Sequence, residues 1–103
     1  MSIKYTLTYV TTPNTFETSQ EFIDFLSAIP ACAASMAVTN NYVSQNLITF
    51  RSLTTTPTGA VSVKVFANSD IFVQFNQDPV HLNLVDTWSS LGWQTSSVTE
   101  QID

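Results

Sequence analysis

The stretch SDIFVQFNQDPVHLNLVDTWSSLGW, Ser69 to Trp93, decides the fold, because its first half alternates like a β-strand while its second half has helical spacing. Taken alone, IFVQF would suit a strand, but it follows Ser69 and Asp70, two residues of the types that cap the start of a helix. Its apolar residues also group on one side of a helix. We therefore interpret this first half as helical.

A second helix start lies further along the same stretch. Asp78 is a capping residue followed by Pro79 at the first helical position, where proline is favoured. Gly92 stands where a helix C-terminus requires a positive φ. Five positions keep the helical spacing between them: His81, Leu84, Val85, Trp88 and Leu91. The stretch thus predicts two helical segments with a break near residues 76–79.

The N-terminal third of the chain predicts a strand followed by a helix. IKYTLTYV, residues 3–10, alternates with period two, which is typical of a β-strand. After the breaker TTPNT, Thr18 and Glu21 have the spacing of a capping box, and an apolar stripe follows at positions 22, 25, 26 and 29. Pro30 is expected to end or kink this helix. Residues 31–42 stay open, as a second short helix of small residues or an irregular lead into the next strand.

The remaining elements complete an alternating order. NLITFRSL and AVSVKVFA flank TTTPTG, which suits a turn and predicts a hairpin, and WQTSSVTE closes the chain as a polar strand. The order predicts an α+β fold of the ferredoxin-like βαββαβ class. In it, a four-stranded antiparallel sheet carries two main helices on one face, with residues 3–10 and 60–67 as central strands. A length of 103 residues without linker or repeat predicts one domain, 1–103.

Composition and charge exclude several classes of protein. A net charge of −5 opposes the basic surface that nucleic-acid binding needs, so we expect no nucleic-acid partner. No apolar run approaches the roughly 18 residues of a membrane span, and no signal-peptide pattern is present, so we expect no membrane partner and a cytoplasmic location. Cys32, the lone cysteine, is expected to be buried and unreactive. Charged residues are only 11% of this acidic chain, which does little to prevent self-association.

The three basic residues, Lys4, Arg51 and Lys64, all lie on predicted strands. We assign the valines of AVSVKVFA to the face that the helices cover, which puts the three cations together on the opposite, open face. They are interpreted either as charges that protect an exposed sheet or as a site for an anionic partner or for ion pairs between subunits. The apolar residues expected on the same open face are Val10, Leu47, Leu53, Phe66 and Val98.

His81 is the first candidate for chemistry, because histidine titrates near neutral pH. It has no partner visible in the sequence, and one histidine with one distant cysteine defines neither a metal site nor a catalytic triad. Its place in the first turn of a helix favours the neutral imidazole. With Trp88 and Trp93 it is our candidate for a ligand pocket. The sequence predicts no catalytic residue, no metal ligand and no cofactor.

The segment VSVKVFANSDIFVQFNQDPVHLNLVDTWSSLG runs from a strand into a phenylalanine-rich helix, and then through Asp-Pro into a second helix. In this order it resembles the dimeric α+β barrel group, typified by the antibiotic-biosynthesis monooxygenases and the stress-responsive barrel proteins. The resemblance is one of topology over the whole chain and carries over no catalytic residue. It implies a homodimer whose two sheets face one another and, in some members, a small-molecule pocket between sheet and helices.

Function is left between hypotheses of different classes. The preferred one is a non-enzymatic homodimeric binding or accessory protein, joined through the open sheet face, with a small anionic or aromatic ligand as its partner. The alternative is a cofactor-independent, monooxygenase-like enzyme of the barrel group, so whether the protein is an enzyme stays open. A ferredoxin-like RNA-recognition module is disfavoured, because it would need exposed stacking aromatics and a basic surface.

Overall fold

The computed structural model describes residues 1–103, including every side chain except that of Val85. Strands and helices alternate along the chain, and each of the two predicted helical regions is divided in two by a break at a proline. The elements are β1 (Ser2–Val10), α1 (Ser19–Ser27), α2 (Pro30–Ser44), β2 (Ile48–Thr56), β3 (Gly59–Phe66), α3 (Ser69–Gln77), α4 (Pro79–Leu91) and β4 (Gln94–Ile102).

The four strands form one antiparallel sheet in the order β2-β3-β1-β4. The central strands are therefore β3 and β1, as the sequence predicts. The helices pack on one face of this sheet, which confirms the α+β, ferredoxin-like fold. The hydrophobic core lies between the helices and that face in two clusters, one around Tyr9, Phe22 and Trp88 and one around Ile3 and Phe66.

The stretch that opened the sequence analysis is helical throughout, with its break at Asp78. The Asp78 carboxylate accepts from the Val80 N–H (2.9 Å), and Gly92 has the predicted positive φ of 74°. The start of α3 differs from expectation by one residue. Asn68, rather than Ser69 or Asp70, is the cap, because its amide oxygen accepts from the Ile71 N–H (2.9 Å).

The segment left open by the sequence is a helix of 15 residues, α2, which begins at Pro30. Proline is well placed there because the first turn of a helix has no use for its missing N–H. The buried stripe of α2 consists of Cys32, Ser35, Thr39 and Tyr42. Small and polar side chains therefore occupy most of the positions at which an apolar stripe would indicate a helix.

The strand register corrects the predicted faces of the sheet. Tyr5 pairs with Lys64, and Arg51 pairs with the same Lys64 from the other side. Residues directly opposite in an antiparallel pair point to the same face. Tyr5 belongs to the alternating set of β1 whose ends, Ile3 and Tyr9, are buried in the core under the helices. Lys64 and Arg51 therefore lie on the helix-covered face, and only Lys4, opposite Val65, lies on the open face.

The apolar residues move between faces for the same reason. Phe66, Leu53 and Leu47 pack into or against the core under the helices, contrary to prediction. The valines of β3 lie instead on the open face, where Val10 and Val98 were correctly expected. Alternation shows that a strand has two faces, but it does not show which face the helices cover. The prediction assigns the more apolar face of β3 to the helices, and the register reverses that assignment. The apolar residues of the open face are Val10, Phe50, Val61, Val63, Val65 and Val98.

Within the part of the chain that the structure describes, no single helix is long and apolar enough to cross a membrane. The consecutive helices α1 and α2 satisfy length and composition only when taken together, and they are bent by 115° at the break between them.

Candidate functional site

A cavity of about 810 Å³ lies between the inner face of the sheet and the helices. Drug-sized ligands occupy pockets of about 300–1,000 Å³, so its size suits a small organic molecule. Its apolar wall comes from both core clusters and from aromatic and aliphatic side chains of several elements. These are Tyr5, Leu7, Tyr9, Phe22, Ile23, Leu26, Met36, Leu53, Phe75, Leu84 and Trp88.

The sheet contributes a cationic group to this cavity. Lys64 and Arg51 both line it, and the Lys64 ammonium donates to the Ser62 hydroxyl oxygen (3.2 Å). Burial, together with the nearby charge of Arg51, lowers the pKa of Lys64 to about 8. Lys64 is thus much closer to losing its proton near neutral pH than an exposed lysine is.

Acidic residues are missing from the cavity wall in the part of the chain that the structure describes. The chain has eight Asp and Glu residues, and none of the residues that line the cavity is one of them. Two of its three basic residues do line it. An acidic protein therefore surrounds a cavity whose fixed charges are positive.

His81 lines the same cavity from the first turn of α4. Its Nδ1 lies 3.5 Å from the Ser35 hydroxyl oxygen, and its ring centroid lies 4.4 Å from that of Phe75. Burial lowers the pKa of His81, the charge of Lys64 lowers it further, and Asp78 opposes both. The imidazole is therefore neutral at pH 7, in agreement with the expectation from its place in the helix.

The two tryptophans occupy different positions. Trp88 lines the cavity and also belongs to the core, whereas Trp93 is not among the residues that form the cavity wall. Trp93 packs behind Trp88, with the rings nearly parallel (7°) and their centroids 5.5 Å apart. Its indole N–H donates to the side-chain oxygen of Asn14 (3.2 Å). Trp93 therefore supports Trp88, which lines the cavity, and its role in ligand binding stays a prediction.

Cys32 is buried, as predicted, but its surroundings were not foreseen, because it lines the cavity from α2. Burial raises the pKa of its thiol, which disfavours the reactive thiolate. Its lack of reactivity stays a prediction. Among the side chains that the structure describes, no three His, Cys, Asp or Glu residues come together in a group that could hold a metal ion.

Sequence reasoning brought His81 and Trp88 to this site and missed its cations. The signal was present in β3, where Ser62 and Lys64 alternate with three valines. The prediction assigns the polar set to the open face, whereas it faces the cavity inside the protein. Ser35, the hydroxyl partner of His81, could not have been found, because residues 31–42 gave no helical pattern to place it.

Comparison with protein-family models and with curated proteins finds no match. Solved structures do resemble the chain. SnoaB, a cofactor-independent oxygenase from Streptomyces nogalater, gives a TM-score of 0.65 at 12% identity, over 99% of this chain and 93% of its own. A candidate antibiotic biosynthesis monooxygenase from Deinococcus radiodurans gives 0.66 at 7% identity, over 100% and 93%.

A third structure, a dimeric protein of unknown function with a ferredoxin-like fold from Bacteroides fragilis, gives a TM-score of 0.57. Its identity is 10%, over 98% of this chain and 96% of its own. These likenesses confirm the topological resemblance to the dimeric α+β barrel group. At such identities they show the fold alone.

Proposed function

We propose that this chain is a homodimeric binding protein for a small organic molecule held in the cavity between sheet and helices. The observation that carries the proposal is the cavity itself. It is large, it lies at the centre of the fold, and its aromatic and aliphatic wall is combined with a few polar groups from β3, α2 and α4. This combination is typical of ligand pockets, in which apolar contact supplies affinity and a few polar groups supply orientation.

The dimer is supported by the open face of the sheet. Val98 is 57% exposed and Phe50 55% exposed, and the three valines of β3 lie between them on the central part of the same face. These apolar side chains stand beside Thr6 and Thr8 of β1 and Ser52 of β2, and a two-fold interface would remove them from water. The similar protein from Bacteroides fragilis is itself dimeric.

Binding is tested with a cavity-filling substitution and its matched control. Ser35 lines the cavity from α2, and its neighbour Ala34 is exposed on the same helix. A panel of one-ring and two-ring aromatic compounds should quench the tryptophan fluorescence of the wild-type protein, because Trp88 forms part of the wall. Ser35→Phe should abolish the quenching and Ala34→Phe should preserve it. The absence of saturable binding to the wild-type protein, or equal binding to both variants, would contradict the proposal.

A second candidate is a cofactor-independent oxygenase, favoured by two observations. One is the likeness to SnoaB, and the other is the presence in the cavity of Lys64, whose pKa of about 8 suits proton transfer near neutral pH, together with the imidazole of His81. The test is oxygen consumption with aromatic polyphenols as substrates. Turnover that His81→Phe removes would support an enzyme, whereas saturable binding without turnover above buffer would leave the binding protein.

A further inference from the structure

We propose that the ligand is an organic carboxylate, whose anionic end is bound by Lys64 and Arg51 and whose apolar body lies against Tyr9 and Trp88. This inference rests on the proposed function, because it names the chemical class that the same cavity takes. Neutral aromatic molecules of the same shape are therefore expected to bind less tightly than the acids.

The strand register holds the two cations together. Arg51 and Lys64 are direct partners across β2 and β3, so their side chains leave the sheet side by side on its inner face. The two groups are close enough that the charge of Arg51 lowers the pKa of Lys64. Two like charges held this close repel each other, and an anion between them would relieve that repulsion.

Groups within the protein do not supply this anion. The side-chain partner of the Lys64 ammonium is the neutral hydroxyl of Ser62, and no carboxylate is among the groups that shift its pKa. None of the described residues that line the cavity is Asp or Glu. A buried cation without a counter-charge is costly, so a ligand that brings one gains affinity by filling the position.

The arrangement of the pair favours one ligand shape. Arg51 is exposed on the edge strand β2, whereas Lys64 lies further in, on the central strand β3. The guanidinium can grip a carboxylate with two parallel hydrogen bonds, and the ammonium acts as a point charge beside it. The same cavity is lined by Tyr9, Leu84 and Trp88, whose aromatic and aliphatic surface suits the apolar body of the molecule.

Proton uptake should accompany binding above pH 8. The Lys64 ammonium has a pKa of about 8 in the free protein, and a bound carboxylate would raise it. The other titratable or charged groups that line the cavity are Arg51 on β2, Tyr5 and Tyr9 on β1, Cys32 on α2 and His81 on α4. Burial lowers the pKa of His81 and raises that of Tyr9, which moves both away from the window between pH 8 and pH 10. We assign the change in affinity in that window to Lys64, and its loss in Lys64→Met would distinguish this lysine from Cys32, whose pKa burial raises.

The experiment compares matched acid and amide probes by isothermal titration calorimetry: benzoate against benzamide, and 2-naphthoate against 2-naphthamide. For the wild-type protein at pH 7 we expect the acid to bind on the order of tenfold more tightly than its amide. Affinity for the acid should then weaken by up to about tenfold per pH unit above pH 8, while affinity for the amide stays constant.

Two variants and one control assign the effect to the proposed site. Lys64→Met should remove both the preference for the acid and its pH dependence, and Arg51→Met, at an exposed position, should weaken the preference. Lys4→Met removes the lysine of the open face and should change neither. Equal binding of acid and amide to the wild-type protein would overturn the carboxylate inference and leave the binding protein standing. Binding of neither member of either pair would overturn both.

Discussion

In the middle of β3 the two faces of the sheet differ in the opposite sense from that expected of a sheet covered by helices on one side, although β1 turns its apolar side chains toward the helices as expected. The inner face of β3 carries Ser62 and Lys64, while the outer face of the same strand carries three valines. A sheet that faces water on one side normally turns its apolar residues toward the helices. The comparison teaches that a cavity can place polar groups on the inner face, and we infer that a partner subunit determines the apolar side chains of the outer one.

The largest effect is expected from a matched pair of phenylalanines on the two faces. Phe66 is fully buried under the helices, and Phe50 is 55% exposed on the open face. Phe66→Ala should lower the free energy of unfolding by about 3–5 kcal/mol, because it leaves a cavity in the core. Phe50→Ala should change it by about 0.5 kcal/mol or less when measured in dilute, monomeric protein. Urea unfolding followed by circular dichroism measures both.

The same pair separates folding from assembly. At concentrations where the wild-type protein is dimeric, Phe50→Ala should weaken the dimer, because the phenyl ring would lose its contact with the partner. Equal losses of stability for the two variants in dilute solution would mean that Phe50 is buried within the monomer. The assignment of the two faces would then be wrong.

The second prediction concerns a single substitution at the centre of the proposed dimer interface. Val63 lies on the open face of the central strand β3, between Thr6 and Ser52. Val63→Lys should dissociate the dimer, because it puts an unpaired charge at the middle of the open face, where the partner would bury it. Val73→Lys, at an exposed position of α3, is the control and should leave assembly unchanged. Sedimentation velocity at matched concentrations distinguishes them, and a dimeric Val63→Lys would place the interface elsewhere.

The smallest expected effect concerns the cation of the inner face. Lys64→Met should raise the free energy of unfolding by about 1 kcal/mol, because it removes a partly buried charge that has no counter-charge among the described residues of the cavity wall. For a domain of this size that corresponds to a rise in Tm of about 4–8 °C. Thermal unfolding at pH 7 in the absence of ligand measures it. Lys4→Met, on the open face, should move Tm by much less, and equal shifts for the two lysines would contradict the difference between the faces.

The same lysine gives the stability a pH dependence of known sign. Its pKa is lowered from 10.5 to about 8 in the folded protein, so between these values the unfolded chain binds more protons. The free energy of unfolding of the ligand-free protein should therefore gain a contribution that rises with pH across that window. That contribution should vanish in Lys64→Met.

Local signals in the sequence were sufficient for the order of elements. Helix starts and ends are marked by hydrogen bonds made within a few residues, at Asp78 with Pro79, at Gly92, and at Thr18 with Glu21. Such bonds depend little on the rest of the molecule, so their chemistry can be read from neighbouring residues. The fold follows from their order together with the period of the strands.

The candidate site depended on information that neighbouring residues do not contain. The face on which Lys64 and Arg51 lie is decided by the helices and by the cavity beneath them. The alternating pattern of β3 is the same whichever of its two faces the helices cover, so the pattern cannot decide between them. The buried stripe of α2, with its serine and threonine, carried no apolar pattern because part of it lines a cavity instead of filling the core. Both misreadings come from expecting the interior to be uniformly apolar.

Light scattering on a size-exclusion column tests most directly the claim that the open, valine-rich face is an interface between two copies of the chain. The chain has a mass of 11.4 kDa. We predict that the wild-type protein at micromolar concentration elutes with twice that mass. A mass of one chain would contradict the dimer and would leave the apolar outer face without an explanation.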